Sequence, residues 1–143
     1  MYNSRKIIDK INGDRDELKV KPILEEYFKT TLTKLGEYNT FDFQDSNGRF
    51  YEVKCRTNAY NKYPTTMIGA NKIDKANRFT KPTYFIFKFT DGIYYLEYTK
   101  EKLDLLNLDV GGRKDRGVLE YKNYYYIPIE LLIKIEIPPE RCQ

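Results

Sequence analysis

The sequence FDFQDSNGRFYEVKCR, residues 41–56, predicts two β-strands joined by a tight turn. The Asn47-Gly48 pair near its centre is a strong signal for a hairpin. The second strand, RFYEVKCR, is rich in apolar residues but has an acid, Glu52, and a base, Lys54, in its middle. A strand that packs against a core has no evident use for two such charges, so their position requires an explanation.

Side chains alternate between the two faces of a strand, which separates the charged residues of this hairpin from the apolar ones. In the second strand the apolar residues share the face that is predicted to meet the core: Tyr51, Val53 and Cys55. The charged residues share the opposite face: Glu52, Lys54 and Arg56. In the first strand, Phe41 and Phe43 are predicted to face the core, which places Asp42 on the side of Glu52 and Lys54.

Two carboxylates on neighbouring strands repel each other, and a divalent cation between them relieves that repulsion. A lysine beside them can stabilise the charge that develops on a phosphate, or position and deprotonate an attacking water. The chain contains no histidine, which excludes Ser-His-Asp and Cys-His catalysis and removes histidine as a metal ligand. Because carboxylates prefer hard cations, Mg²⁺ is the predicted cofactor, with Mn²⁺ as a substitute.

An apolar fraction of 41% in 143 residues is enough for a folded domain with a core, so we expect one domain over residues 1–143. The 25 Lys and Arg against 21 Asp and Glu give a mild basic excess, which is compatible with a polyanionic partner. Two cysteines in no metal-binding spacing favour a reducing, intracellular setting, with Cys55 as a small buried residue. No apolar signal segment or membrane-spanning stretch occurs, so we expect a soluble protein without a membrane partner.

The remaining pattern predicts an α/β arrangement. A helix is predicted from about Asp14 to Leu35, because apolar residues recur there at helical spacing: Val20, Leu24, Phe28, Leu32 and Leu35. Strands over 39–44 and 49–56 follow, then a loop over 57–64 and a short extended piece with a helix over 65–79. The C-terminal half is predicted to contain strands at 82–89 and 93–99, a short helix at 100–108, a mobile loop at 109–117, and one or two strands with a helical turn at 118–138.

Asp42, followed ten residues later by Glu52-Val53-Lys54, resembles the signature of the PD-(D/E)XK nuclease superfamily. The predicted element order, from the helix at 17–35 to the strand at 82–89, is similar to the helix, three strands, helix and strand of that superfamily's core. Thr40 stands where the signature has proline, and only GEYNTF, residues 36–41, is left to supply the first strand. The resemblance implies a restriction-endonuclease-like α/β fold, with a central mixed β-sheet of about four to six strands flanked by helices.

The resemblance also implies a metal site and a catalytic lysine. Asp42, Glu52 and the backbone carbonyl of Val53 are expected to bind Mg²⁺, and Lys54 is expected to orient or activate the attacking water. Members of the superfamily commonly add a glutamate from the first helix, for which there are three candidates: Glu17, Glu25 and Glu26. We favour Glu25 as a catalytic and metal-binding residue, because it borders the predicted buried face of the helix.

Nucleic acid is the predicted partner, with DNA favoured over RNA. Basic residues after the signature are the candidates for binding it: Arg56, Lys62, Lys72, Arg113 and Arg116. The stretches KYPTTMIG, residues 62–69, and GRKDRG, residues 112–117, resemble nuclease-like proteins of large DNA viruses, which implies a virus or phage source.

Three other interpretations stay open at this point. The charges of Asp42, Glu52 and Lys54 could form a solvated ladder on the surface of a sheet, which has little energetic effect. The same fold could serve as a nucleic-acid-binding module without hydrolysis. The chain could also be an enzyme of the Holliday-junction-resolvase type that acts as a homodimer.

Overall fold

The structure is a computed structural model that describes residues 17–113 and 120–137, with side chains over 17–109 and 123–137. The described part of helix α1 covers residues 17–28, and helix α2 is Ala70–Ala76. The strands, in chain order, are β1 (Leu32–Lys34), β2 (Phe43–Asp45), β3 (Phe50–Cys55), β4 (Thr65–Gly69), β5 (Thr83–Phe89), β6 (Gly92–Tyr98), β7 (Asn107–Arg113), β8 (Glu120–Pro128) and β9 (Ile133–Lys134). Two 3₁₀ turns, Lys100–Leu105 and Ile129–Leu131, lie between strands.

The described strands form two sheets. The main sheet has six strands in the order β1-β2-β3-β5-β6-β9, and the second sheet has the order β4-β8-β7. In the main sheet β3 and β5 run parallel, whereas the other neighbouring strands run antiparallel. The predicted α/β fold with a central mixed sheet is therefore confirmed.

Alternating side chains of the main sheet pack into two separate cores. On β5, Tyr84 and Ile86 join α1 in one core, whereas Phe85 and Phe87 join α2 and the second sheet in the other. Both faces of the sheet are covered, which is why β5 is apolar at nearly every position. The side of β3 that was predicted to carry charges thus faces another layer of the protein.

The first helix is shorter than its apolar pattern predicts. It ends at residue 28, and Lys29 has a left-handed backbone conformation with φ 54°, which stops the helix. The prediction that the helix continues to Leu35 is wrong, because Leu32–Lys34 forms β1 and pairs antiparallel with β2. Leu32 is buried as a strand residue in the same core that α1 contacts, so its helical spacing was misleading. These residues, rather than GEYNTF, supply the first strand.

The predicted hairpin between β2 and β3 is confirmed, and a buried acid holds its turn. Gly48 has φ 83°, the left-handed conformation that a tight three-residue loop requires at this position. The carboxylate of Asp45 accepts hydrogen bonds from the backbone amides of Asn47 and Arg49, each at 2.9 Å. It also accepts bonds from Arg49 Nε at 2.7 Å and from the Tyr51 hydroxyl at 2.9 Å.

Two details of the predicted hairpin are wrong. Phe41 and Phe43 pack in opposite cores, because regular pairing in β2 begins only at Phe43 and the chain bends before it. Cys55 is exposed at the end of β3 instead of buried.

The C-terminal half combines confirmed strands with one correction. The strands predicted over 82–89, 93–99 and 118–138 correspond to β5, β6, and β8 with β9. The mobile loop predicted over 109–117 is wrong for its first part, since β7 continues to Arg113 by pairing along β8. Residues 114–117 lie outside the described part of the chain. None of the helices described is long and apolar enough to cross a membrane.

Candidate active site

Asp42 and Glu52 lie side by side on the β2–β3 hairpin, at the place where Lys72 of α2 contacts it. The backbone of Asp42 is fixed on two sides: its amide donates to the Tyr51 carbonyl at 3.0 Å, and its carbonyl accepts from the Leu35 amide at 2.9 Å. Its carboxylate accepts a hydrogen bond from the Val53 amide at 2.7 Å. That bond holds the Asp42 side chain against β3, next to the position where Glu52 leaves the strand.

Glu52 is buried, with 2% of its surface exposed. Burial and then repulsion by the neighbouring Asp42 raise the pKa of Glu52 to about 7, and the nearby Lys54 and Lys72 only partly oppose this rise. The interpretation of these charges as a solvated surface ladder therefore does not hold for Glu52. A carboxylate held in this way is costly for folding and is typical of functional sites.

Two lysines form ion pairs with the buried carboxylate of Glu52. Lys72 Nζ is 2.8 Å from Glu52 Oε2, and Lys54 Nζ is 3.6 Å from the same oxygen. Lys72 also donates a hydrogen bond to the carbonyl of Thr40. The buried Oε2 of Glu52 is thus held by two ammonium groups as ion pairs.

The helix glutamate that comes to this cluster is Glu17. Its carboxylate pairs with Lys34, whose Nζ lies 3.8 Å from Asp42 Oδ1. Burial raises the pKa of Glu17, and the charge of Asp42 adds to the effect while the bond from Lys34 opposes it. A cleft of about 550 Å³ opens here, and Glu17, Asp42 and Lys72 are among the residues that line it.

Glu25, the glutamate favoured from the sequence, is placed elsewhere. Its carboxylate accepts a hydrogen bond from the Leu32 amide at 2.9 Å, which joins α1 to β1. The sequence did contain a signal for Glu17, since it stands three and seven residues before the buried Val20 and Leu24. Lys34 was missed because it was assigned to the helix.

The predicted nucleic-acid-binding residues are scattered. Lys72 lies inside the carboxylate cluster, and Lys62 lies in the loop before β4 with its Nζ 5.6 Å from the centre of the Tyr63 ring. Arg56 is mostly engaged within the protein, with Nε 3.2 Å from Thr66 Oγ1, a bond to the Met67 carbonyl, and its guanidinium over the ring of Phe87. Burial lowers the pKa of Arg56. The side chain of Arg113 and all of Arg116 lie outside the described residues.

The donor set of this site suits a hard divalent cation. Its acidic groups, Glu17, Asp42 and Glu52, are all carboxylates, which are ligands that Mg²⁺ prefers. In the part of the chain that the structure describes, no three Asp, Glu or Cys side chains are grouped closely enough to enclose a metal ion. Lys34 and Lys72 lie against Glu17 and Glu52 in this arrangement.

A mixed sheet with helices on both faces, and an aspartate held beside a buried Glu-x-Lys strand, match the fold and signature of the PD-(D/E)XK class. A family model described as "Phage putative PDDEXK endonuclease" matches residues 6–138, and the chain therefore belongs to this family. This membership confirms the resemblance drawn from Asp42, Glu52 and Lys54, and it indicates a nuclease that acts on nucleic acid. A comparison with curated proteins and one with solved structures found no match.

Proposed function

We propose that residues 1–143 form one domain of a metal-dependent endonuclease that hydrolyses phosphodiester bonds in DNA. The observation that supports this most is the buried Glu52 beside Asp42: burial and then repulsion by Asp42 raise the pKa of Glu52 to about 7, although Lys72 Nζ lies 2.8 Å from its Oε2. An arrangement that weakens the fold in this way is expected where a bound cation and a phosphate act.

In this proposal Asp42, Glu52 and the carbonyl of Val53 bind Mg²⁺ or Mn²⁺, and Glu17 takes the role that the sequence suggested for Glu25. The bound cation would lower the pKa of a water molecule and neutralise charge on the phosphate. Lys54 is 37% exposed and ion-paired to Glu52, so its ammonium can reach both solvent and the site. It would orient the attacking water and stabilise the charge that develops on the phosphate.

One observation favours a second candidate. Lys34 and Lys72 already neutralise two of the carboxylates, as expected of a nucleic-acid-binding module on the same fold without hydrolysis. A dimeric enzyme of the junction-resolvase type stays a prediction, which sedimentation and a branched-DNA substrate would test. The phage family matched by the chain supports the expectation of a virus or phage source.

Cleavage assays separate these candidates. The purified protein is incubated with single-stranded, duplex and four-way DNA and with RNA, in Mg²⁺, Mn²⁺ or EDTA. We expect cleavage of DNA that EDTA abolishes, and its loss in Asp42→Asn, Lys54→Ala and Glu17→Gln. Glu25→Gln is the matched control, because its amide oxygen can still accept the Leu32 bond. Wild-type cleavage by Asp42→Asn or Lys54→Ala would refute the mechanism, and metal-independent binding without cleavage would favour the binding module.

A further inference from the structure

Lys72 lies between two clefts that differ in charge. On one side, the cleft beside Asp42 is lined by three acids, Glu17, Glu37 and Asp42, together with the bases Lys34 and Lys72. On the other side lies a cleft of about 310 Å³ lined by Lys54, Arg56 and Lys72, and its described lining contains no carboxylate. A polyanion that approaches Glu52 therefore meets a more favourable charge on the second side than on the first, where acids and bases are mixed.

The basic cleft continues along the second sheet. A neighbouring cleft of about 340 Å³ shares Arg56 and Met67 with it, and the described residues around this cleft are also free of carboxylates. We call the two clefts together the tyrosine groove, after three of its lining residues: Tyr63, Tyr124 and Tyr126. It begins at Lys54, beside Glu52, and extends to the loop that precedes β4.

Two of these tyrosines are presented by β8 in the same direction. Tyr124 and Tyr126 are two residues apart, so they share one face of the strand, whereas Tyr125 between them packs against the core. Tyr124 is paired with Gly69 of β4, which has no side chain to cover the ring from that strand. Within the described part of the chain, neither ring contacts another aromatic ring or makes a side-chain hydrogen bond.

Partly exposed aromatic rings along a basic groove are the usual means of binding unpaired nucleotides, since every base can stack on a ring and the cations follow the backbone. Bases inside a duplex stack on each other and are not available to such rings. We propose that the tyrosine groove binds unpaired bases of a DNA strand and leads its phosphate to Lys54 and Glu52. The substrate of the proposed nuclease is then DNA with a single-stranded segment, and this inference rests on that proposed function.

Binding without cleavage tests the groove directly. The fluorescence anisotropy of dye-labelled oligothymidine is measured with protein in EDTA, beside a duplex of equal length and oligouridine. Replacing both rings, in Tyr124→Leu/Tyr126→Leu, is expected to weaken oligothymidine binding by roughly tenfold or more. The double phenylalanine variant keeps the rings and is expected to bind like wild type. Tyr27→Leu is the control, because Tyr27 is partly exposed on α1, on the opposite side of the main sheet.

Photocrosslinking with oligonucleotides that contain 5-iodouracil locates the contact, and we expect peptides with Tyr124 or Tyr126 to be modified. The inference would be overturned by any of four results: equal binding by the leucine and phenylalanine variants, crosslinks only to other residues, tighter binding of duplex, or tighter binding of oligouridine. So would a loss of self-association in the leucine variant without a loss of DNA binding. If the protein binds single strands but cleaves none of the substrates, the proposed nuclease activity is refuted and the proposed role of the groove is not. If the leucine variant cleaves and also binds like wild type, the role of the groove is refuted and the nuclease activity is not.

Discussion

Replacing Glu52 with glutamine should abolish cleavage and at the same time make the fold more stable at neutral and alkaline pH. The pKa of Glu52 is raised from its ordinary value of 4.5 to about 7, first by burial and then by Asp42. Because the pKa in the folded state is the higher one, the contribution of Glu52 to stability is fully present below 4.5 and is lost as the pH rises through about 7. At 1.36 kcal/mol per pH unit, the loss amounts to roughly 3 kcal/mol.

Glutamine stays neutral, so Glu52→Gln keeps this contribution at every pH. Urea unfolding of both proteins in EDTA, between about pH 4 and about pH 9, measures the difference in their free energies of unfolding. We expect the advantage of the variant to grow with pH by about 3 kcal/mol. A difference that stays constant or shrinks as the pH rises would refute the argument that burial and Asp42 strain this carboxylate.

Asp45→Asn provides a comparison of opposite sign on the same hairpin. Burial alone would raise the pKa of Asp45, but hydrogen bonds from Arg49, Tyr51 and the Asn47 amide outweigh it and hold the pKa below its ordinary value of 3.8. The stability that Asp45 provides is therefore present above 3.8 and is lost as the pH falls through its lower folded-state pKa. Asp45→Asn should therefore have a lower free energy of unfolding than wild type at neutral pH, and this deficit should shrink in acid. The difference for Glu52→Gln also shrinks in acid, but there the variant is the more stable protein.

Three further outcomes are expected. Mg²⁺ at about 100 times its Kd should stabilise the wild type by about 2.7 kcal/mol in thermal unfolding and Glu52→Gln by much less; equal stabilisation would contradict the proposed ligand. Gly48→Ala should lower the free energy of unfolding by about 1 kcal/mol, because φ is 83° there, and an unchanged urea midpoint would argue against that conformation. Arg56→Lys should destabilise the fold by about 1–3 kcal/mol through its lost bonds to Thr66 and Met67; an unchanged urea midpoint would contradict this structural role.

The hairpin, and the position of Glu52 and Lys54 on one face of it, could be predicted from the sequence because both depend on local rules. Asn47-Gly48 requires a turn, and Glu52-x-Lys54 fixes which side chains share a face of β3. The pairing of Asp42 with Glu52 was predicted from strand parity, yet it arises differently: Asp42 precedes the regular part of β2 and is held by the Val53 amide. The proximity of Asp42 and Glu52 was predicted correctly, although its geometric reason was not, and their catalytic role stays a prediction.

The parts that were missed depend on tertiary contacts. Leu32 fits both a helical stripe and a buried strand, and the decision between them is made by Lys29, whose left-handed backbone conformation is uncommon for lysine. Once β1 begins at Leu32, Lys34 is placed beside Glu17 and Asp42. A helix continued to Leu35 excluded that arrangement, so no sequence pattern pointed to Lys34.

The parallel pairing of β3 with β5 has a consequence for the order of events in folding. Between these strands the chain leaves the main sheet, forms β4 and α2, and returns, and this crossover brings Lys72 back to Glu52. Contacts between residues so distant in sequence form slowly, because the intervening chain must first lose its freedom. A growing chain that has not yet synthesised β5 therefore has the hairpin with its acids but lacks a docked Lys72, and the complete site is acquired only when the crossover closes.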